Sequence, residues 1–284
     1  MWHMKTGILI SWLFVLLTND GFYRKTDEHQ IELITDYKSS ELLFEWFRNE
    51  RTVEMINLIL DEPGIQIMAD NVKKLSVDSI RSFGEELTLF RKKELLENDV
   101  YGLKLAWNFK EKSIKLLQKV KSEEIENEII VRAASYIPND YVVKANYNIY
   151  FVPTGWEWGD AYVCNVKKVG NRYIIADEGS PSIVINLSLF SKLYGETTSE
   201  QSNVLKGVLS HEIFHALFSD YKRQSAQYTA QDTSAMGRLI DIIQNEGIAH
   251  YIDKKPLLHK EYDLNEGFKE RETENVNNLN EAVQ

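Results

Sequence analysis

The chain has 284 residues, 43% of them hydrophobic, and carries a formal net charge of −10 at pH 7. This composition is sufficient for a full hydrophobic core and is not typical of a disordered protein. The acidic balance, without a basic stripe, argues against nucleic acid as the main partner, because such binding depends on clustered Lys and Arg that neutralise phosphates.

The first twenty residues have the pattern of a secretory signal. Lys5 precedes an apolar run from Gly7 to Leu17, and a polar stretch follows. A helix over that run would rise about 16 Å, about half of the hydrocarbon core of a bilayer, so a full transmembrane span is not predicted. We expect residues 1–20 to be a signal peptide or a short membrane anchor. The protein is then exported, either secreted or held in a bacterial cell envelope.

Cys164 is the only cysteine in the sequence. A single thiol excludes an intramolecular disulfide and a Cys-rich zinc site. Export without disulfides fits a bacterial envelope better than a eukaryotic secretory pathway.

Helical periodicity dominates the next region, which we delimit as residues 21–140. Between Ser39 and Ile137, apolar residues such as Leu42 and Trp46 recur at helical spacing among charged ones. Turn residues at 137–140 end the region. It contains no repeat and no catalytic motif.

Short runs rich in β-branched and aromatic residues follow and predict a small antiparallel sheet. The last run, SIVINLSLF at 182–190, alternates apolar and other residues, and we interpret it as an edge strand that binds peptide by strand addition, with ordinary sheet structure as the alternative. The aromatic loop at 155–163 is a candidate cleft rim or a filler beside the sheet. The predicted strands are 142–153, 161–167, 173–176 and 182–190.

The stretch HEIFH at 211–215 lies within the apolar stripe of a predicted helix. Residues four apart lie on one face of a helix, so His211 and His215 can converge on one metal ion, while Glu212 points about 100° away. Two ligands are insufficient, because catalytic zinc sites usually have three protein ligands and a water molecule. The motif therefore requires a third ligand from elsewhere in the chain.

The third ligand is not a histidine of the pattern H-E-x-x-H-x-x-G-x-x-H, because Phe218 and Tyr221 occupy the required positions. A second predicted helix, at 235–253, supplies a carboxylate instead. Glu246 lies in the apolar stripe of that helix, where an unpaired charge would cost several kcal/mol. Such groups are normally paired or bound to a metal.

HEIFH, followed thirty residues later by NEGIA at 245–249, resembles the gluzincin zinc metallopeptidases. The chain is most similar to uncharacterised families of zinc-dependent peptidases in that clan, over residues 145–253. The resemblance implies Zn²⁺ as cofactor, with His211, His215 and Glu246 as ligands and Glu212 as general base. It implies a peptide or protein substrate without naming it.

Two further polar residues have open roles. His250, four residues after Glu246, could bind zinc, orient a ligand or stabilise an oxyanion. Asp220 follows the motif closely and could orient a ligand, although an exposed Asp at a helix end is equally ordinary.

These observations predict an α+β, zincin-like fold: a mostly helical N-terminal half, a small antiparallel sheet, the HExxH helix and a second ligand-bearing helix. Residues 141–264 form the predicted catalytic region, and residues 265–284 a polar mobile tail or a loosely held helix. The predicted function is that of a zinc-dependent hydrolase, a metallopeptidase in which Glu212 acts on zinc-activated water. The alternative is a non-catalytic exported binding protein with a structural or vestigial metal site. The sequence does not indicate an oligomeric state.

Overall fold

The computed structural model describes residues 30–49, 51–76, 80–92, 99–138, 141–142, 144–155, 159–224 and 235–258. The predicted leader at 1–20, the tail at 265–284 and residues 156–158 of the aromatic loop lie outside the described residues. Over the described ranges, no helix combines the length and the apolar character that crossing a bilayer requires.

The described residues form a mixed α/β fold in which the helical half, the sheet and the two helices that carry the candidate ligands follow in the predicted order. The exception is one strand of the sheet, at Gln30–Asp36, which lies within the region predicted to be helical. Strand β1 (Gln30–Asp36) precedes α1 (Lys38–Arg48), α2 (Val53–Asp61), α3 (Pro63–Leu75), α4 (Phe83–Arg91), α5 (Leu103–Glu123) and α6 (Glu126–Ala134). Then come β2 (Lys144–Val152), β3 (Ala161–Val169), β4 (Arg172–Ile175), β5 (Ser180–Asn186), α7 (Leu187–Leu193), α8 (Thr198–Gln224) and α9 (Ala235–Leu258).

The sheet is mixed, which corrects the predicted antiparallel sheet. Its strand order is β1-β2-β5-β3-β4. Strands β1, β2 and β5 run parallel, whereas β3 is antiparallel to both β5 and β4. In β2, Tyr150 and Phe151 point to opposite faces and both are buried. Burial on both faces is typical of parallel strands that helices cover.

The predicted edge strand at 182–190 is wrong in position and in extent. Strand β5 lies between β2 and β3, so both of its edges are paired. It ends at Asn186, whose side-chain oxygen accepts a hydrogen bond from the backbone N–H of Leu189 at 3.2 Å and caps α7. A helix therefore begins at Leu187, within the run that the sequence predicted to be one strand. Strand addition at β5 is therefore excluded.

Helix α3 covers the outer edge of β4. The side chain of Gln66 accepts a hydrogen bond from Tyr173 N at 2.8 Å, and Asp70 Oδ2 accepts one from Ile175 N at 2.9 Å. These bonds satisfy donors that an uncovered edge would offer to another chain.

One hydrophobic core joins the helical half to the sheet and to α8, and it includes Trp46, Phe151 and Phe214. An ion-pair cluster at its border fixes α8. Lys206 Nζ on α8 lies 3.3 Å from Glu123 Oε2 at the end of α5 and 2.9 Å from Glu128 Oε2 on α6. The helical half thus supports α8 directly.

Candidate metal centre

Helices α8 and α9 pack side by side and carry the candidate site. Near one end a Cβ on Gly207 would lie 2.9 Å from Asp253 O, so the backbones approach closely there. Near the other end Lys222 Nζ lies 2.7 Å from Asp241 Oδ1. Because the positions along α9 fall as those along α8 rise, the two helices are antiparallel.

Three candidate ligand side chains meet between these helices, and that of Glu246 is 49% exposed, whereas the sequence predicted a buried carboxylate. His211 Nε2 lies 2.9 Å from His215 Nε2, and His215 Nε2 lies 3.6 Å from Glu246 Oε2. One ligand atom from each residue lies within 4.8 Å of the others. Tetrahedral zinc with bonds of about 2.0–2.1 Å holds two ligand nitrogens about 3.3 Å apart. The distances from His215 Nε2 to His211 Nε2 and to Glu246 Oε2 therefore each differ from the spacing in a zinc site by a few tenths of an ångström.

The hydrogen bonds of the two imidazoles also fit a metal. His215 Nδ1 lies 2.9 Å from Asn245 Oδ1, and His211 Nδ1 lies 3.1 Å from Asp253 Oδ2. Both oxygens only accept, so each Nδ1 donates and each Nε2 can present a lone pair. Two lone pairs at 2.9 Å repel each other unless a cation or a proton lies between them. The donor set therefore fits a metal ion such as zinc.

Asn245 and Asp253 are site residues that the sequence analysis missed. Asn245 directly precedes Glu246, and Asp253 stands two helical turns after Glu246 on a similar side of α9. Their spacing from Glu246 could have indicated that both residues lie near the site. The spacing could not predict their hydrogen-bond partners, because each contact depends on how α9 packs against α8.

His250 lies beside the three ligands. Its Nε2 is 4.0 Å from Glu246 Oε2, and its Nδ1 is 3.6 Å from Asp253 Oδ2. His211, His250 and Asp253 thus form a second group whose ligand atoms lie within 4.8 Å of one another. The group that contains His215 is the stronger candidate for binding a metal, because there the Nε2 atoms of two histidines lie 2.9 Å apart, while Asp253 accepts a hydrogen bond from His211.

The structure places Asp220, Phe218 and Tyr221 in other contacts. Asp220 Oδ2 accepts a hydrogen bond from Tyr147 OH at 2.9 Å. Phe218 is buried in the core, and its ring stacks with that of Tyr221 at a centroid distance of 6.2 Å. Neither ligand group found among the described residues includes Asp220.

A family model described as putative zinc dependent peptidase (DUF5700) matches residues 56–284. The chain belongs to this family. The resemblance to uncharacterised zinc-dependent peptidases is thereby confirmed, and the match extends over most of the helical half as well. No curated protein and no solved structure matches the chain significantly.

In this member of the zinc dependent peptidase family, the pKa values of His211 and His215 are shifted in opposite directions. Burial lowers the pKa of His215, and a hydrogen bond with Asn245 offsets this only in part. Burial also acts to lower the pKa of His211, but the hydrogen bond with Asp253 and the charge of Glu212 outweigh it, so the net pKa is raised. Because a metal requires neutral imidazole, an ion that binds here displaces any proton held by His211.

Glu212 has the most unusual carboxyl group of the site. Burial raises its pKa to about 7, and the nearby His211 offsets this only in part, while the charges of Asp160 and Glu246 add to it. A carboxyl group with such a pKa exchanges protons near neutral pH.

Proposed function

We propose that the protein is a zinc metallopeptidase that hydrolyses peptide bonds with Glu212 as general base. The observation that carries the proposal is that ligand atoms of His211, His215 and Glu246 all lie within 4.8 Å of one another. A bound zinc ion would supply a Lewis acid that polarises the scissile carbonyl and lowers the pKa of a bound water molecule to about 7.

The protein's own residues then have separate tasks. His211, His215 and Glu246 hold the ion, and Glu212 accepts a proton from the attacking water and passes it to the leaving amine. Burial acts to raise the pKa of Glu212 above that of an exposed glutamate, which is the direction that suits a general base. His250, beside Glu246, is the candidate donor to the oxyanion.

The first half of β3 supports binding of an extended peptide. The carbonyl oxygen of Asp160 accepts a hydrogen bond from Asn186 N and so faces β5. The carbonyl oxygen of Asn165 accepts one from Ala176 N and so faces the β4 side. By the alternation of an antiparallel ladder, the backbone groups of Ala161 and Val163 also face away from β5. Strand β4 pairs only from Val166 onward among the described residues, so these groups are open to a peptide strand.

The signal-like pattern of residues 1–20 supports action outside the cytoplasm, and we include export in the proposal. Fractionation of cells followed by N-terminal sequencing of the mature protein tests it. A protein found in the cytoplasm with its leader intact would contradict export but would leave the chemistry of the site unaffected.

The test of the reaction compares Glu212→Gln with Glu246→Gln. Glu212→Gln should keep nearly stoichiometric zinc and a similar melting temperature but lose peptide hydrolysis by at least about 100-fold, because it removes a base and not a ligand. Glu246→Gln should lose zinc and activity together, because an amide oxygen is a poor ligand in place of a carboxylate. Zinc content and peptide-library cleavage are measured on the same preparations.

Each contrary result has a distinct meaning. Full activity in Glu212→Gln would eliminate the proposed base. Unchanged zinc content in Glu246→Gln would move the third ligand elsewhere, first to His250. A wild-type protein that holds zinc yet cleaves no peptide would be the non-catalytic binding protein with a structural metal.

A further inference from the structure

An acidic residue without a task in the proposed reaction lies beside the candidate centre. The groups whose charges act on Glu212 include three other carboxylates, those of Asp160, Glu246 and Asp253. Glu246 is a candidate ligand, and Asp253 accepts a hydrogen bond from His211 at 3.1 Å. Asp160 has neither role, and it belongs to neither ligand group found among the described residues. Its negative charge near Glu212 therefore requires another explanation.

The carboxylate of Asp160 is held in place by a neutral partner. Its Oδ2 accepts a hydrogen bond from Tyr194 OH at 2.6 Å, and its backbone oxygen accepts one from Asn186 N at 2.8 Å. Tyr194 directly follows α7, and its ring lies 4.6 Å from that of the buried Phe190. A phenol orients a carboxylate without cancelling its charge, so Asp160 offers a negative charge in an anchored, half-buried position.

Asp160 lies at the beginning of the strand edge that is open to a peptide. The chain bends at Asp160, and β3 begins at the next residue, Ala161. Strand β3 also contacts α8, the helix that carries Glu212. A peptide that pairs with Ala161 and Val163 therefore has a residue within reach of Asp160, at the side of the site where Glu212 lies.

We propose that Asp160 selects peptides with a lysine or arginine side chain close to the bond that is cleaved. This assignment rests on the proposed function, because it gives a substrate class to the same site. A basic side chain pairs with Asp160 and offsets the repulsion between this carboxylate and Glu212. An acidic side chain at the same place adds a further negative charge, and a neutral one leaves Asp160 without a counter-charge, so the site discriminates against both.

The first test uses peptide libraries with blocked termini, in which lysine or glutamine occupies each position in turn. At one position near the scissile bond, the zinc-loaded protein should cleave lysine peptides with a kcat/KM at least about tenfold above that for glutamine peptides. Asp160→Asn should reduce this ratio to about two or less, with zinc content retained because Asp160 is not a candidate ligand. Asp177→Asn, which removes an exposed carboxylate beside the same sheet, should keep the ratio.

Two further variants separate the charge of Asp160 from its place in the fold. Asp160→Glu keeps a carboxylate and should retain a preference for lysine of at least about threefold. Tyr194→Phe leaves Asp160 in the chain but removes the hydrogen bond that orients it, so the preference should fall at least about threefold. If Asp160→Asn does not fold, Tyr194→Phe decides, and an unchanged ratio in that variant contradicts the proposal.

Binding is measured separately from cleavage, by fluorescence anisotropy of the same peptides on zinc-loaded Glu212→Gln. Selective binding of lysine peptides that is lost when Asp160→Asn is added, without any cleavage by the wild type, would support the role of Asp160 and contradict the proposed function. Cleavage with no preference for basic residues, or a preference that Asp160→Asn leaves intact, would overturn the role of Asp160 and leave the proposed function standing.

Two other results would also overturn the role of Asp160. Binding only of peptides with a free amino terminus would assign Asp160 to that amine and not to a side chain. Neither binding nor cleavage of any peptide would contradict the proposed function and the role of Asp160 together.

Discussion

The two imidazoles of the candidate centre owe their orientation to acceptors on α9 and not to their own helix. Asn245 accepts from His215 and Asp253 from His211, each through Nδ1. Carboxylate and carbonyl partners of this kind set the ring orientation and raise the basicity of the nitrogen that faces the metal. Asn245 and Asp253 are therefore as much a part of the candidate site as the two histidines that they orient.

Replacing Asp253 by Asn tests the contribution of its contact with His211 to zinc binding. The variant removes the negative charge behind His211, so the affinity for zinc should fall by about 10- to 100-fold while the fold is retained. Zinc affinity is measured by competition with a chelator. Asp220→Asn is the control, because Asp220 bonds to Tyr147 and belongs to neither ligand group. An equal loss in both variants would show that Asp253 has no special role.

At the scale of elements, the distance between α8 and α9 determines whether the candidate ligands meet. Gly207 allows a close approach, since a Cβ there would meet the backbone of Asp253 at 2.9 Å. A backbone atom cannot move aside without moving its helix. The absence of a side chain on α8 thus helps to set the position of the ligand-bearing helix.

The variant Gly207→Ala should push α9 outward and weaken zinc binding. Alanine favours the helix by up to about 1 kcal/mol, but overpacking costs about 1–3 kcal/mol, so the melting temperature should fall as well. Differential scanning calorimetry and zinc titration measure the two effects. Gly247→Ala is the matched control: among the described residues, no atom lies within 4 Å of a Cβ added to Gly247, so stability should stay the same or rise. A zinc affinity unchanged by Gly207→Ala would contradict the role assigned to this contact.

At the scale of the whole molecule, the helical half anchors the helix that carries HEIFH. Lys206 on α8 joins Glu123 of α5 and Glu128 of α6 in one cluster, and a single core continues beneath it. Burial alone would raise the pKa of Glu123, but hydrogen bonds from two lysines and Ser202 outweigh it and lower the pKa to about 2. The cluster is thus strongest when Glu123 is ionised.

Stability should therefore depend on pH through Glu123. Its folded pKa lies below its ordinary value of 4.5, so its stabilisation is complete above that value and is lost as the pH falls from 4.5 towards 2. Glu123→Gln should lower the free energy of unfolding by roughly 1–3 kcal/mol at pH 7, and the deficit should shrink in acid. Urea denaturation at several pH values measures this. Glu54→Gln, an exposed helix residue, should show no such deficit, and a deficit of constant size from pH 7 to pH 3 would contradict the assignment.

The sequence by itself determined the helical half, the helix that carries His211 and His215, and the second helix that carries Glu246. These features depend on local periodicity, and a helix of period 3.6 places residues four apart together whatever surrounds it. The resemblance carried by HEIFH and NEGIA also pointed to uncharacterised zinc-dependent peptidases, and the family model confirms it.

Only the tertiary structure decided the order and direction of the strands. The run at 182–190 has the alternation of an edge strand, yet β5 is central and Asn186 starts a helix within that run. The alternation of apolar and polar residues indicates which side chains share a face of the sheet, but not which strand is the neighbour. Likewise, the contact of Asp253 with His211 arises because Gly207 lets α9 approach α8. Strand pairing and helix packing join residues far apart in the chain, and their energies depend on surfaces that exist only after folding.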